Sequence, residues 1–444
     1  MRDFAQSHDP AVQAQLDRLA ALSLPTGRLG LETITALLAR LGNPHRTMPP
    51  AFHVAGTNGK GSTCAFLRAM LEAQGLAVHV ATSPHLVRYN ERIRLAGRLI
   101  DDRHLADVLR EVLDAGADLA PSFFEITIAA SFLAFVRVPA DVCVIEVGLG
   151  GRFDATNVLA APLACGIAAL GIDHERFLLA PEEGTPAQPL ARIAFEKAGI
   201  AKPGVPLVAL AHAPEAAAEI LRAGERTGAP VFMRGAAWDA HGVEGRIHYR
   251  DASGVLDLPI PALAGPYQAD NAALAVALLR HQNRIAITHE AMAEGLRMAR
   301  WPARLQRLGV GPLSALMPGR EVWLDGGHNA QAAVRLAEAM AEKAPFDLIM
   351  GLLANRDIVG FLGPLAPFIR HLVAVPVPGH DSHAPQAIQE VAISRFGLNT
   401  AGCAPDTATA LRQIGLRQTP TPMLIAGSLY LAGRVLEANG ELPE

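Results

Sequence analysis

The sequence predicts an α/β fold with mostly parallel sheet, arranged in two domains, and three observations carry that prediction. Short Val/Ile/Leu-rich runs alternate with Ala/Leu-rich segments of helical period, as expected for strands covered by helices on both faces. A glycine-rich turn, "AGTNGKGST" at 55–63, joins the first of those strands to a helix. The chain has 444 residues, more than one ordinary core fills.

Taken in order, the predicted buried strands of the first domain are Phe52 to Ala55, Ala77 to Ala81, Asp141 to Val147, Leu163 to Ala169 and Leu207 to Leu210. Between about 235 and 261 the pattern turns to alternating residues with turn signals, which predicts antiparallel hairpins attached to that domain. In "RMARWPARLQRLG" a Trp-Pro pair breaks the helical period, so the boundary falls there and the domains are 1–300 and 301–444. Strand and helix alternation then resumes, with strands predicted at Val322 to Leu324, Asp347 to Met350, Leu372 to Val375 and Met423 to Ala426.

Composition limits the function classes. Half of the residues are hydrophobic and 18% are charged, which argues for buried globular domains and against disorder. The formal net charge is -4 with no long basic run, so nucleic acid and anionic membranes are not expected partners and small molecules are. Cys64, Cys143, Cys165 and Cys403 are scattered and form no C-x-x-C pair, which predicts free thiols. The N-terminal stretch "MRDFAQSHDPAVQAQLDR" carries charges where a signal peptide needs an apolar core, and reads as a cytoplasmic start. The longest uncharged stretch, Ala155 to Ile172, contains Asn157, Pro162 and Gly166, which suit turns and short strands rather than a membrane span.

Three polar residues stand at strand ends. After the first strand, the glycine-rich turn leads into a helix with Phe66, Leu67, Met70 and Leu71 on one face and Gly75 as its stop, the setting in which a phosphate sits on backbone N–H groups. Lys60 then supplies a positive charge near the β and γ phosphates. The generic P-loop has four residues before its Gly-Lys pair and a hydroxyl directly after; here the turn is shorter and Gly61 follows the lysine, so a metal-binding hydroxyl must come from elsewhere. The competing reading is a plain strand-to-helix turn with a solvated lysine. Glu146 ends an otherwise apolar run, at the edge where parallel sheets bind ligands. A lone carboxylate there needs a pair or a cation, and Mg²⁺ suits oxygen donors and phosphates, although backbone hydrogen bonds would also satisfy it. His174 in "GIDHERF" emerges at the same edge; alone such a histidine is more often structural, and its company alters that.

In this order, "VAGTNGKGST", "ATSPHLVRYNERI", "FFEITIAA", "VIEVGLGGRFDATN", "IDH" with "FEKAGI", "QADNAALA", "LDGGHNAQAA" and "AGSLYLAG" resemble folylpolyglutamate synthase/dihydrofolate synthase, of the Mur ligase superfamily, from about Leu19 to Leu436. The resemblance implies a P-loop-type, mostly parallel ATPase domain followed by a smaller Rossmann-like domain. It implies an ATP-dependent amide ligase, with ATP as cosubstrate, that adds L-glutamate to dihydropteroate and to tetrahydrofolates through an acyl phosphate, acting as a monomer. Carried over residue by residue, it puts Asn58, Gly59, Lys60, Gly61, Asn271, Arg304, Asp325 and His328 on ATP. Ser83 and Glu146 would hold one Mg²⁺; Glu146, His174 and a carbamylated Lys197 would hold a second. Lys60, His174 and Lys197 are thereby the catalytic set, and Ser122, Phe123, Phe124, Glu125, Phe153, Asp154 and Ala155 the pterin set. For the phenylalanines, core packing is the competing reading. The chain departs from the family pattern at Gly327, Ala330, Ala303 and Asn355-Arg356, and the segment from His174 to Lys197 is about eight residues longer than usual. A cell-wall Mur ligase and a nucleotide-dependent switch are the alternatives; the first would lack "SPHLVRYNERI" and "FFE", the second would leave Glu146, His174 and "DGGHN" unexplained.

Overall fold

Five consecutive residues buried on both faces, Ala51–Ala55 (β1), sit inside an eight-stranded sheet. The computed structural model describes residues 6–22, 30–243, 245–417 and 421–444. The other strands of this sheet are β2 (Val78–Ala81), β3 (Ile93–Leu95), β4 (Arg98–Leu99), β5 (Val142–Glu146), β6 (Ala164–Ile167), β7 (Leu207–Ala209) and β8 (Val231–Met233), in the order β4-β3-β2-β5-β1-β6-β7-β8. From β2 to β8 all neighbours are parallel; β3 and β4 add an antiparallel edge. The inner strands read as unbroken apolar runs because helices cover both faces. One apolar cluster packs Leu105, Leu109, Ile126 and Phe132 with Cys143 and Ile145; another packs Ala194, Ala198 and Ile220 with Cys165 and Ile167. The four cysteines are free.

A separate antiparallel sheet, β9 (Trp238–Val243), β10 (Arg246–Asp251) and β11 (Gly254–Pro259), occupies the stretch expected to form hairpins; residue 244 within it lies outside the described residues. The chain divides into one unit of residues 1–262, 268–300 and 444, and a second of 263–267 and 301–443. Residues 1–5 of the N-terminal stretch also lie outside the described residues, and among those described no helix is long and apolar enough to cross a membrane.

The second unit has a six-stranded sheet: β12 (Gln306–Arg307), β13 (Val322–Leu324), β14 (Phe346–Met350), β15 (Ile369–Ala374), β16 (Gly402–Cys403) and β17 (Met423–Ala426), ordered β12-β13-β17-β14-β15-β16. Only β12 pairs antiparallel. Leu336, Met340, Phe361 and Leu365 pack with Leu348 and Met350 in its core. All nine expected strands are present; β3, β4, β8, β12 and β16 were not expected, being short or at sheet edges where the apolar signal is weak.

Asp347 enters β14 with no exposed surface, and its carboxylate meets His371 Nδ1 at 2.8 Å, Thr421 Oγ1 at 3.0 Å and the Arg320 guanidinium. Removing one partner of a buried ion pair leaves the other uncompensated, at about 3–5 kcal/mol. Asp347→Ala is therefore expected to lower the unfolding free energy of the second unit by that order, read as a lower urea midpoint, and an unchanged midpoint would contradict a stabilising role for the cluster.

Candidate active site

The turn after β1 is fixed before any ligand is considered. Thr57 N and Asn58 N donate to Ala169 O at 2.8 and 3.1 Å, while Thr57 Oγ1 donates to Gly171 O at 2.8 Å and accepts from Gly171 N at 3.1 Å. The turn is thus bolted to the segment that leads from β6 to His174. The helix Lys60–Ala73 starts directly behind Gly59, without a side-chain cap, so its first N–H groups have no acceptor within the helix and form an anion-seeking end. Gly59 has φ +86°, and a Cβ there would lie 2.3 Å from Asn271 Oδ1, so only glycine fits. Asn271 Nδ2 is held by Gln268 Oε1 at 3.0 Å. Asn58, Gly59, Lys60, Gly61 and Asn271 are therefore brought together.

Glu146, 5% exposed, ends β5. Its Oε1 lies 4.0 Å from Lys60 Nζ, its Oε2 accepts from Ser83 N at 3.3 Å, and Lys60 Nζ also reaches Thr57 O at 3.4 Å. Ser83, Glu146 and Lys60 follow β2, β5 and β1, three adjacent parallel strands, so they converge at the carboxyl edge of the sheet.

Lys197 joins them from the helix Pro189–Ala198. It is 5% exposed, and its Nζ donates to Gly56 O at 2.9 Å. Burial first, then the Lys60 ammonium, push its pKa down to about 7, against the pull of Asp173, Asp154 and Glu196. The loop after β5 touches this helix backbone to backbone: a Cβ on Gly151 would lie 2.7 Å from Lys197 O, and Arg152 N donates to Glu196 O at 2.8 Å. His174 lies beyond β6 at the same sheet edge, at φ +53°, heading the short helix Glu175–Leu178 with its N–H on Asp173 Oδ1 at 2.7 Å. A non-glycine residue in that region marks a constrained position.

The pterin candidates divide. Ser122 and Glu125 form a capping box at the start of the helix Phe123–Arg137: Glu125 Oε2 accepts from Ser122 N and from Ser122 Oγ, both at 2.8 Å. Phe123 packs edge-on to Tyr89 and lies 5.4 Å from Arg92 Cζ, against the core. Phe124 borders the same core and also lies over Gly148, where a Cβ would come 2.3 Å from its ring, so it reaches the loop that carries Phe153, Asp154 and Ala155. Phe153 stacks under the Arg152 guanidinium at 4.2 Å. Asp154 is buried and holds the loop: it accepts from Leu149 N at 2.7 Å, Thr156 N at 3.0 Å and the Thr156 hydroxyl, while burial still raises its pKa. Ala155 is buried beside it.

Sequence reasoning missed four residues here: Thr57, Arg152, His53 and Thr156. Because Thr156 gives its proton to Asp154, His53 Nε2 carries the hydrogen of their 2.8 Å contact; burial pushes His53 down to about 3 and keeps it neutral. A histidine inside the apolar run "AFHVA" was the available signal.

In the second unit, Arg304, Asp325 and His328 form their own cluster. Asp325, buried, accepts from Leu305 N and Gly327 N, both at 2.7 Å; burial raises its pKa and Arg304 opposes that. His328 Nδ1 lies 3.1 Å from Gly326 O, and Arg304 Nη1 donates to Ala303 O at 3.0 Å. Ala303 stands at φ +54°, in the left-handed region that glycine adopts without a Cβ penalty.

No family model matches the chain. It is 32% identical over 428 residues to folylpolyglutamate synthase of Lacticaseibacillus casei, covering 90% of this chain and 92% of that protein. It is 31% identical over 426 residues to dihydrofolate synthase/folylpolyglutamate synthase of Escherichia coli K12, covering 95% and 94%. Among solved structures, E. coli FolC in complex with DHPP and ADP superposes with a TM-score of 0.84 at 28% identity, covering 97% of this chain and 98% of that one. A bifunctional folylpolyglutamate synthase/dihydrofolate synthase with Mn, AMPPNP and L-glutamate bound superposes with a TM-score of 0.81 at 29% identity, covering 98% and 99%.

Lys197 gives a pH signature. In the fold it loses its proton at about 7, in the unfolded chain at roughly 10.4. Between those values the unfolded state binds more protons, so the penalty of burying this lysine is full below about pH 7 and fades as pH rises to roughly 10.4. In metal-free protein, Lys197→Met should flatten that rise by on the order of a few kcal/mol. Urea midpoints measured at neutral and alkaline pH check this, and parallel profiles for variant and wild type would contradict it.

Proposed function

The chain belongs to the folylpolyglutamate synthase/dihydrofolate synthase family, and from that premise we propose that it is a bifunctional ATP-dependent ligase joining L-glutamate to dihydropteroate and to tetrahydrofolates. The observation that carries this reading is the convergence of Lys60, Ser83 and Glu146 beside a glycine-rich helix start. A carboxylate attacking a triphosphate brings negative charges together, so the reaction needs fixed positive groups that hold the atoms in line. The first-turn N–H groups behind Gly59 hold the phosphates, Lys60 neutralises them, and Asn271 keeps the turn in place. The acceptor's carboxylate oxygen attacks the γ phosphorus and ADP leaves; the glutamate amine then attacks the acyl carbon, and phosphate departs with that oxygen. Phe124 and the loop of Phe153, Asp154 and Ala155 receive the pterin; Ser122, Phe123 and Glu125 set the start of the helix that presents Phe124. In the second unit Arg304, Asp325 and His328 are the proposed nucleotide contacts.

Two Mg²⁺ ions, with Ser83, Glu146, His174 and a carbamylated Lys197 as proposed ligands, would supply further charge neutralisation when bound. The residues fit that role: Glu146 is a buried carboxylate with Ser83 against it, and phosphate and carbamate oxygens would complete the set. Among the described residues no three His, Cys, Asp or Glu side chains converge on their own. Carbamylation joins the Lys197 amine to CO₂ with loss of one proton, and so requires the neutral amine that burial favours. We place the enzyme in the cytoplasm as a monomer acting on small molecules, without nucleic acid or membrane partners; its net charge of -4 argues against the anionic partners alone.

Purified protein with ATP, Mg²⁺ and L-glutamate should release ADP in a glutamate-dependent way with either dihydropteroate or tetrahydrofolate. Lys60→Ala is expected to cut turnover at least about 10²-fold and to lower thermal stability as well, because it takes the ammonium partner from the buried Glu146 carboxylate. Near-normal turnover in that variant would refute the phosphate site. Lys197→Ala should lose most activity and regain part of it with a short carboxylic acid in the buffer. High-resolution density ending at a bare ε-amino group, in protein prepared with Mg²⁺ and bicarbonate, would refute the carbamate.

A further inference from the structure

The segment between the helices Glu175–Leu178 and Pro189–Ala198 forms neither helix nor strand, yet it is held firmly. Glu182, within it, sits between two guanidinium groups: it pairs with Arg152 through both of its oxygens and with Arg192 Nη2 at 3.0 Å. The same two arginines reach Glu196, at 2.8 and 3.0 Å. The result is a ring of alternating charges in which Arg192 and Glu196 are nearly buried, with side chains 6% and 7% exposed. Leu178, at the start of the segment, packs on Gly150. The segment therefore lies as a strap on the loop after β5, touching it at 150 and 152.

What the strap fixes is the plane of Arg152. Its guanidinium lies 4.2 Å from the Phe153 ring centre and 4.9 Å from that of Phe195, and the paired carboxylates on Glu182 and Glu196 set its orientation. The backbone on either side is anchored as well, Arg152 N to Glu196 O and Arg152 O to Asn157 Nδ2 at 2.9 Å. Without Glu182, the ring of charges is left with one cation in excess and Arg152 loses the partner that engages both Nη atoms. Glu196 alone then holds the guanidinium, through Nε and Nη2, Nη1 loses its partner, and the support of the acceptor-facing ring is weakened.

We propose that Glu182 is a positioning residue for the acceptor: through Arg152 it fixes Phe153 and the loop that receives the pterin. This assignment rests on the ligase reading above. A purely structural ion cluster would change stability alone, or all kinetic constants together, whereas a positioning role separates the substrates. Glu182→Gln, which keeps size and one oxygen acceptor, should raise the KM for dihydropteroate and tetrahydrofolate about tenfold, in keeping with the cost of a small misplacement. The KM for ATP should stay as in the wild type, while the melting temperature falls because one charge of the ring is lost. Glu182→Asp, which keeps the charge, should restore part of the acceptor affinity. Arg152→Lys should act in the same direction because an ammonium cannot pair in the planar fork, and the double variant should be no worse than the worse single one. An unchanged acceptor KM in Glu182→Gln, an equal rise for ATP and acceptor, or a loss confined to kcat would overturn the assignment. Absence of glutamate-dependent ADP release in the wild type would overturn the ligase reading and this assignment with it, which separates the two failures.

Discussion

The first unit is organised around a buried carboxylate that cannot stand alone. Glu146 ends a strand of the inner sheet where solvent is scarce, and a charge in that position must be met by another charge, by N–H groups or by a cation. Lys60 and the Ser83 N–H meet it here. That requirement ties the turn after β1, the loop after β2 and the end of β5 into one cluster, and parallel pairing of the three strands makes the meeting unavoidable. The same edge that solves the burial of Glu146 thereby gathers the charges a phosphoryl transfer uses.

Rigidity around this cluster comes from close contacts that tie its turns and loops to neighbouring segments. Thr57 locks the turn to Gly171, Asn271 fills the space over Gly59, and Gly151 lets the loop after β5 touch the helix of Lys197. At Gly59 and Gly151 a Cβ would meet these neighbours at 2.3 and 2.7 Å. Donors that are fixed in advance cost no reorganisation when charge develops on the substrate, which is why such a site favours the transition state over the ground state. Lys197 illustrates the opposite use of burial: the fold strips its amine of water and sets it beside Lys60, so its proton is held weakly.

Much of this was legible in the sequence, and the limits have physical reasons. Parallel strands buried on both faces, such as β1, β5 and β17, stand out as apolar runs; β4 and β16, at sheet edges, bury little and leave no such run. Lys60 and Glu146 stood out in the sequence because a charged residue in a glycine-rich turn or at the end of an apolar strand differs from its neighbours; Ser83 and Lys197, the latter inside a helix, came only from the family resemblance. Ser122 and Glu125 follow a spacing that serves helix capping equally well, and only coordinates reveal that their side chains bond each other. Arg192 and Glu196 are one helical turn apart and look like an ordinary surface pair, while Arg152 lies far from them in sequence, so their ring with Glu182 was invisible until the strap was folded onto the loop. Thr57 and Thr156 act through single hydroxyl bonds to distant partners, for which no local pattern exists.

The chemistry itself is tested most directly by the fate of the acceptor's carboxylate oxygen. With a heavy-oxygen label in that carboxyl group, one labelled atom should appear in the inorganic phosphate released during turnover, because the oxygen that attacks the γ phosphorus leaves with it when glutamate's amine attacks the acyl carbon. Phosphate free of label, at a turnover that consumes ATP and forms the amide, would contradict activation through an acyl phosphate.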